Sequence, residues 1–139
     1  MPKTTQKEEL QILAMPKEDY MNQTQLAFFK QRLVDERITL LNHIDELKDS
    51  IQLGEQRGDE GDKSMREEEL RMLFRQIDRE SRLLPKIDAA LQRISKGEYG
   101  YCRETGEPIG LPRLLLRPTA DLSIDAKETQ EIKESLHRR

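Results

Sequence analysis

Cys102, Thr105, Ser123 and Ala126 follow the x2, x17, x2 spacing of a four-ligand metal site. Such spacing places two ligand pairs on two turns that face a common point. One thiolate, two neutral hydroxyls and a methyl group do not make a zinc site, which wants four deprotonated sulfur or neutral nitrogen donors. Either the spacing is coincidental, or a unit once organised by a metal stands without it. The expectation is no bound metal, with apolar packing by Leu111, Leu114, Leu116, Leu122 and Ile124 in its place.

Three other groups have residue types that do chemistry. The turn Gly58-Asp59-Glu60-Gly61-Asp62 presents carboxylates that can act on a cation or a basic surface, although Asp and Gly are also ordinary turn residues. Cys102 beside Arg103 has the setting of a thiol with a lowered pKa, but the chain has a single cysteine and hence no resolving partner. His43 and His137 have neither a nucleophile nor a metal partner within sequence reach, and both read as surface residues. Nothing here assembles a catalytic set, so the chain is not expected to be an enzyme.

Composition bounds what can position these groups. Across 139 residues the charged fraction is 37% and the aromatic fraction 4%, which suits long helices with a narrow apolar seam better than a thick core. Net charge is only -3, so the charges are mixed rather than self-repelling, which argues against disorder. A pI near 5.5 argues against direct sequence-specific DNA binding. No apolar run is long enough to span a membrane and no signal peptide opens the chain. The expected setting is the cytoplasm.

Residues 1–25 read as an N-terminal arm, loosely ordered over 1–19 with at most one helical turn. Asn22 or Thr24 caps the next helix, with Gln25 in capping-box register to Asn22. A heptad then runs through Leu26, Leu33, Leu40 and Leu47, with Arg37, Ile44 and Ile51 at the second position, and ends at Gly54. Its complement is Leu70, Leu73, Ile77, Glu80, Leu84, Ile87, Leu91 and Ile94, stopped by Gly97. Residues 26–96 therefore predict an antiparallel coiled-coil hairpin with an acidic tip at 58–64. A turn centred between Gly58 and Asp59 sets Arg37 opposite Glu80. Pro85 costs a helix about 3 kcal/mol and predicts a kink near Ser81 rather than an end. Residues 97–139 are broken by Gly and Pro, predicting short strands and turns, until helical spacing returns at Ile124–Leu136. The fold class is mainly α: a long hairpin, a small globular unit with a degenerate, metal-free zinc-finger frame, and a C-terminal helix.

Three segments give the chain a resemblance. Glu18-Asp19-Tyr20-Met21-Asn22 with Gln25-Leu26-Ala27, the acidic turn, and Gly100-Tyr101-Cys102 through Arg117-Pro118-Thr119-Ala120-Asp121-Leu122-Ser123-Ile124-Asp125 resemble the DksA/TraR family. Within it the chain looks like the cysteine-poor form, in which one cysteine remains of four ligands. The resemblance implies a bacterial RNA polymerase-binding regulator that inserts its hairpin tip through the secondary channel. With the alarmone ppGpp as co-regulator, it would modulate ribosomal RNA and biosynthetic promoters in the stringent response. It implies a tip of Asp59, Asp62 and Ser64, where the family usually has Ala at the last position, and a polymerase contact at Arg79. It further implies a ppGpp site of Leu83, Lys86, Arg117 and Lys127, formed jointly with the polymerase rim. The expected form is a monomer that works when zinc is scarce. The alternatives are a Gre-like transcript-cleavage factor, which also carries acids on a coiled-coil tip, and a thiol redox sensor at Cys102.

Overall fold

The computed structural model describes residues 6–57 and 63–137. Its order is α1 (Gln6–Leu13), a 3-10 turn (Lys17–Asp19), α2 (Gln23–Arg57), α3 (Lys63–Ser81), α4 (Leu83–Lys96), α5 (Leu111–Leu116) and α6 (Ile124–His137). The residues fall into two compact units, one made of Met1–Leu33 with Asp88–Arg139 and the other of Val34–Ile87. This division cuts through α2 and α4 rather than between helices.

The Val34–Ile87 unit is a helical hairpin. Burial repeats at the heptad positions: Ile44 and Leu47 are buried on α2, while Leu70, Leu73, Ile77 and Glu80 are the half-buried face of α3. His43 Nδ1 lies 2.8 Å from Glu80 Oε2. These residues stand at similar distances from the α2 end and the α3 start, so the two helices run antiparallel.

Glu80 therefore meets His43 of α2, which is not merely a surface residue as expected. α2 passes through Gly54, the expected end of the heptad, and continues to Arg57. A lone Gly costs a helix only about 1 kcal/mol, which the flanking residues outweigh. At the other end, Pro85 does more than kink: α3 stops at Ser81 and α4 restarts at Leu83, although Arg82 N–H still donates to the Asp78 carbonyl at 3.2 Å. Pro85 falls in the first turn of α4, where its missing N–H costs no helical bond.

The other unit joins the first part of the chain to the last. Its buried residues include Ile12, Phe29, Leu33, Ala90, Tyr99, Leu114 and Leu122. The N-terminal arm is more ordered than expected, because α1 buries Ile12 and packs on α5. Arg32 of α2 adds an ion pair to Glu9 at 3.0 Å and lies over the Phe28 ring. α2 begins with half of the expected capping box: Asn22 Oδ1 accepts the Gln25 N–H at 2.8 Å, while Gln25 Oε1 accepts from the Met21 N–H at 2.7 Å rather than from that of Asn22. α4 ends at Gly97, whose φ of +76° suits a residue without Cβ.

The segment expected to form strands has only one isolated antiparallel bridge among the described residues, Tyr101 with Pro108. Leu111–Leu116 is a short helix instead, with Pro112 in its first turn, where proline is favoured. Of the expected packing residues, Leu114 and Leu122 are buried. Leu116 is 85% and Ile124 56% exposed, since a six-residue helix and the first turn of α6 each present one face to the interior.

Candidate functional site

The four positions of the metal-site frame come together. Cys102 opens a tight turn: its N–H donates to the Glu107 carbonyl at 2.8 Å, and Gly106 N–H returns to the Cys102 carbonyl at 2.8 Å. Within that turn Thr105 Oγ1 accepts the Glu107 N–H at 3.3 Å. The second pair marks the start of α6. Ser123 precedes the helix and its Oγ accepts the Ala126 N–H at 3.2 Å, so the x2 spacing of a ligand pair is also that of an N-cap and its third helical residue. Arg103 ties the two pairs together, its N–H donating to the Asp121 carbonyl at 2.9 Å and its Nε lying 3.2 Å from Asp121 Oδ2.

At the shared point lies Cys102, 3% exposed and packed with Leu122, Ala126 and Ile109. Burial pushes its thiol pKa up. Hydrogen bonds to the sulfur from the Thr105 hydroxyl and the backbones of Ser123, Thr105 and Glu104 outweigh burial and bring it to about 6. Thr105 thus meets the sulfur through its hydroxyl and Ser123 through its backbone. The donor set does not fit zinc. One sulfur is present, the Ser123 hydroxyl is engaged in a helix cap, and Ala126 supplies a methyl group to the apolar cluster.

The remaining expected residues are less gathered. Asp59 and Asp62 lie outside the described residues, and Ser64 is exposed at the start of α3. Arg79 is exposed and shares a face of α3 with Glu68, Met72, Arg75 and Gln76. Leu83 and Lys86, both exposed on α4, belong to the hairpin unit. Arg117, at the end of α5, and Lys127, in the first turn of α6, belong to the other.

Several residues that hold this region have no chemical signature in the sequence. Tyr99, 2% exposed, donates from its hydroxyl to the Pro118 carbonyl at 2.7 Å and packs its ring against Phe29. Tyr20 donates to the Gly100 carbonyl at 2.7 Å and accepts the Gly110 N–H at 2.9 Å. Gly100 has φ +91°, and a Cβ there would lie 2.6 Å from Met21 Sδ, so the close approach requires glycine. Arg93 donates to the Tyr101 carbonyl. The signal available was the Tyr20-Met21-Asn22 string, which the resemblance used without assigning it a partner.

The geometry has counterparts among known proteins. Residues 25–94 match the family model described as DnaK suppressor protein DksA, N-terminal domain, and residues 97–131 match the prokaryotic dksA/traR C4-type zinc finger. The RNA polymerase-binding transcription factor DksA of Caulobacter vibrioides is 43% identical over 126 residues, covering 88% of this chain and 89% of that protein. This chain belongs to the DksA/TraR family. The DksA of Escherichia coli K12 is 39% identical over 120 residues, covering 86% of this chain and 80% of that protein. The solved structure of transcription factor DksA2 from Pseudomonas aeruginosa superposes with a TM-score of 0.83 at 46% identity, covering 91% of this chain and 98% of that one. The DksA fold thus includes the hairpin, the finger-like turn and the last helix. In this member a zinc-finger match spans residues that are not a set of zinc ligands.

Proposed function

We propose that this chain binds bacterial RNA polymerase, carries its hairpin tip into the secondary channel and, with ppGpp, modulates ribosomal RNA and biosynthetic promoters. The observation that carries this reading is family membership over nearly the whole length, with relatives named RNA polymerase-binding transcription factors. The hairpin supports it. α3 alone extends roughly 28 Å at 1.5 Å per residue, a rod suited to a channel. In this reading Asp59, Asp62 and Ser64 form the working tip, and Arg79 contacts the polymerase from its exposed face of α3. Leu83, Lys86, Arg117 and Lys127 meet ppGpp jointly with the polymerase, where cations answer its pyrophosphates.

The proposal includes zinc independence. A buried thiol held by Thr105 and Ser123, and a capped α6, do the positioning that a metal does for a four-cysteine finger. The redox reading has the lowered Cys102 pKa in its favour. Against it stand the burial of that residue and the absence of a second cysteine.

The test is in vitro transcription from a ribosomal promoter with purified polymerase, with and without ppGpp, in the presence of a zinc chelator. Repression that survives chelation and deepens with ppGpp is expected; no effect on the promoter overturns the reading. Lys86→Ala should remove the increment due to ppGpp and leave polymerase binding intact. Equal loss with and without ppGpp would displace Lys86 from that site.

A further inference from the structure

Met15 lies just past α1, ahead of Pro16 and the 3-10 turn. Its sulfur receives two amide donors, Asn22 Nδ2 at 3.3 Å and Gln25 Nε2 at 3.6 Å. Both amides are oriented from their other end. Asn22 Oδ1 is engaged by the Gln25 N–H and Gln25 Oε1 by the Met21 N–H, so the NH2 groups must turn to the sulfur. Gln25 is fully buried, at 0% exposure. A thioether is a weak acceptor, so two fixed amide donors, one of them buried, are poorly satisfied by it.

Met15 and Gln25 also line a crevice of about 410 Å³, together with Leu13, Pro16, Tyr20 and Leu111. The sulfur is half-buried rather than sealed, and the crevice gives a small oxidant a route to it.

We propose that Met15 is a site of reversible sulfoxidation whose oxygen is received by the Asn22 and Gln25 amides. A sulfur lone pair attacks a peroxide oxygen, the O–O bond breaks, an S–O bond forms, and the second oxygen leaves as water with both protons. Sulfur is oxidised by two electrons and the peroxide is reduced. The sulfoxide oxygen is a far stronger acceptor than the thioether. The oxygen stands about 1.5 Å from the sulfur, so a withdrawal of the sulfur by roughly 1 Å gives both donors N–H···O distances of about 2.9 Å. Most methionine sulfoxides disrupt their surroundings because they bring a polar atom into an apolar contact. Here the donors are already in place, and oxidation fastens the arm of residues 14–22 more firmly to the start of α2.

The experiment treats the full-length protein with graded hydrogen peroxide and then with dithiothreitol, which returns reversibly oxidised thiol to Cys102 but leaves sulfoxides. Trypsin releases residues 8–17 with Met15 as the only methionine, so its oxidation is read directly by mass. Met65 and Met72, 64% and 61% exposed, serve as internal references. The expected result is one added oxygen on that peptide and a Tm raised by about 2–5 °C. The rise should be reversed by methionine sulfoxide reductase and absent from Met15→Leu treated alike. Met15→Gln, whose amide oxygen stands in for the sulfoxide, should melt above Met15→Leu. Met15 that stays reduced while Met65 is fully oxidised overturns the proposal, as does an unchanged or lowered Tm once Met15 is oxidised.

Discussion

Ser123 Oγ accepts the backbone N–H of Ala126 at 3.2 Å, so two positions with the spacing of metal ligands act together as a helix cap. Ser123→Ala should therefore destabilise the protein by about 1 kcal/mol, the usual cost of a lost N-cap. Ser123→Asp should restore most of it, because a carboxylate caps as well and favours the helix N-terminus. Urea denaturation of the three proteins measures both steps. An alanine variant as stable as the parent would show that the cap contributes nothing.

The donor set at Cys102, Thr105, Ser123 and Ala126 leads to a second expectation, that EDTA leaves the melting curve unmoved. Purified protein should contain no stoichiometric zinc by elemental analysis. A four-cysteine relative measured alongside should lose stability with its metal, because structural zinc contributes folding free energy directly. One zinc per chain in this protein would refute the assignment.

Cys102 makes stability depend on pH in a defined direction. Its folded pKa of about 6 lies below the ordinary value of 9.0, so the unfolded chain binds the proton more tightly. The contribution is fully present above about pH 9 and is lost as pH falls through about 6, so stability rises with pH across that window. Thermal melts from pH 6 to 9 should show the rise, and Cys102→Ala should flatten it. A parent and variant with parallel profiles would place the thiol pKa near its ordinary value.

His43 and Glu80 offer a test of the hairpin register. Their side chains are 42% and 14% exposed, so the pair is only partly desolvated. A double-mutant cycle with His43→Ala and Glu80→Ala should give a coupling of about 0.5 kcal/mol. Zero coupling at low salt would remove the pairing.

What the sequence made legible was whatever repeats or caps. The heptads located Leu33, Ile44, Leu47 and Ile87 in buried positions, and Asn22, Gln25 and Gly97 marked helix ends where the structure has them. The ligand spacing led to Cys102, Thr105, Ser123 and Ala126, which do converge. Illegible were features that depend on partners far along the chain. α1 is too short to form alone and owes its order to α5. Pro112 read as a breaker, although at a helix start it is a helix residue. Leu116 and Ile124 are apolar like Leu114 and Leu122, and composition alone does not say which side of a short helix faces inward.

The hydroxyl of Tyr20 meets the backbone of Gly100 and Gly110, 80 and 90 residues further on. During synthesis the N-terminal arm leaves the ribosome long before the segment that receives it exists. The hairpin between them relies on contacts within Val34–Ile87 and can close first, whereas the unit holding Tyr20, Tyr99 and Cys102 must wait for the last forty residues. A chain cut short after α4 would retain the hairpin and lose the carbonyl and amide that Tyr20 binds. Synthesis past Pro118 thus becomes a condition for assembling the unit that bears Arg117 and Lys127.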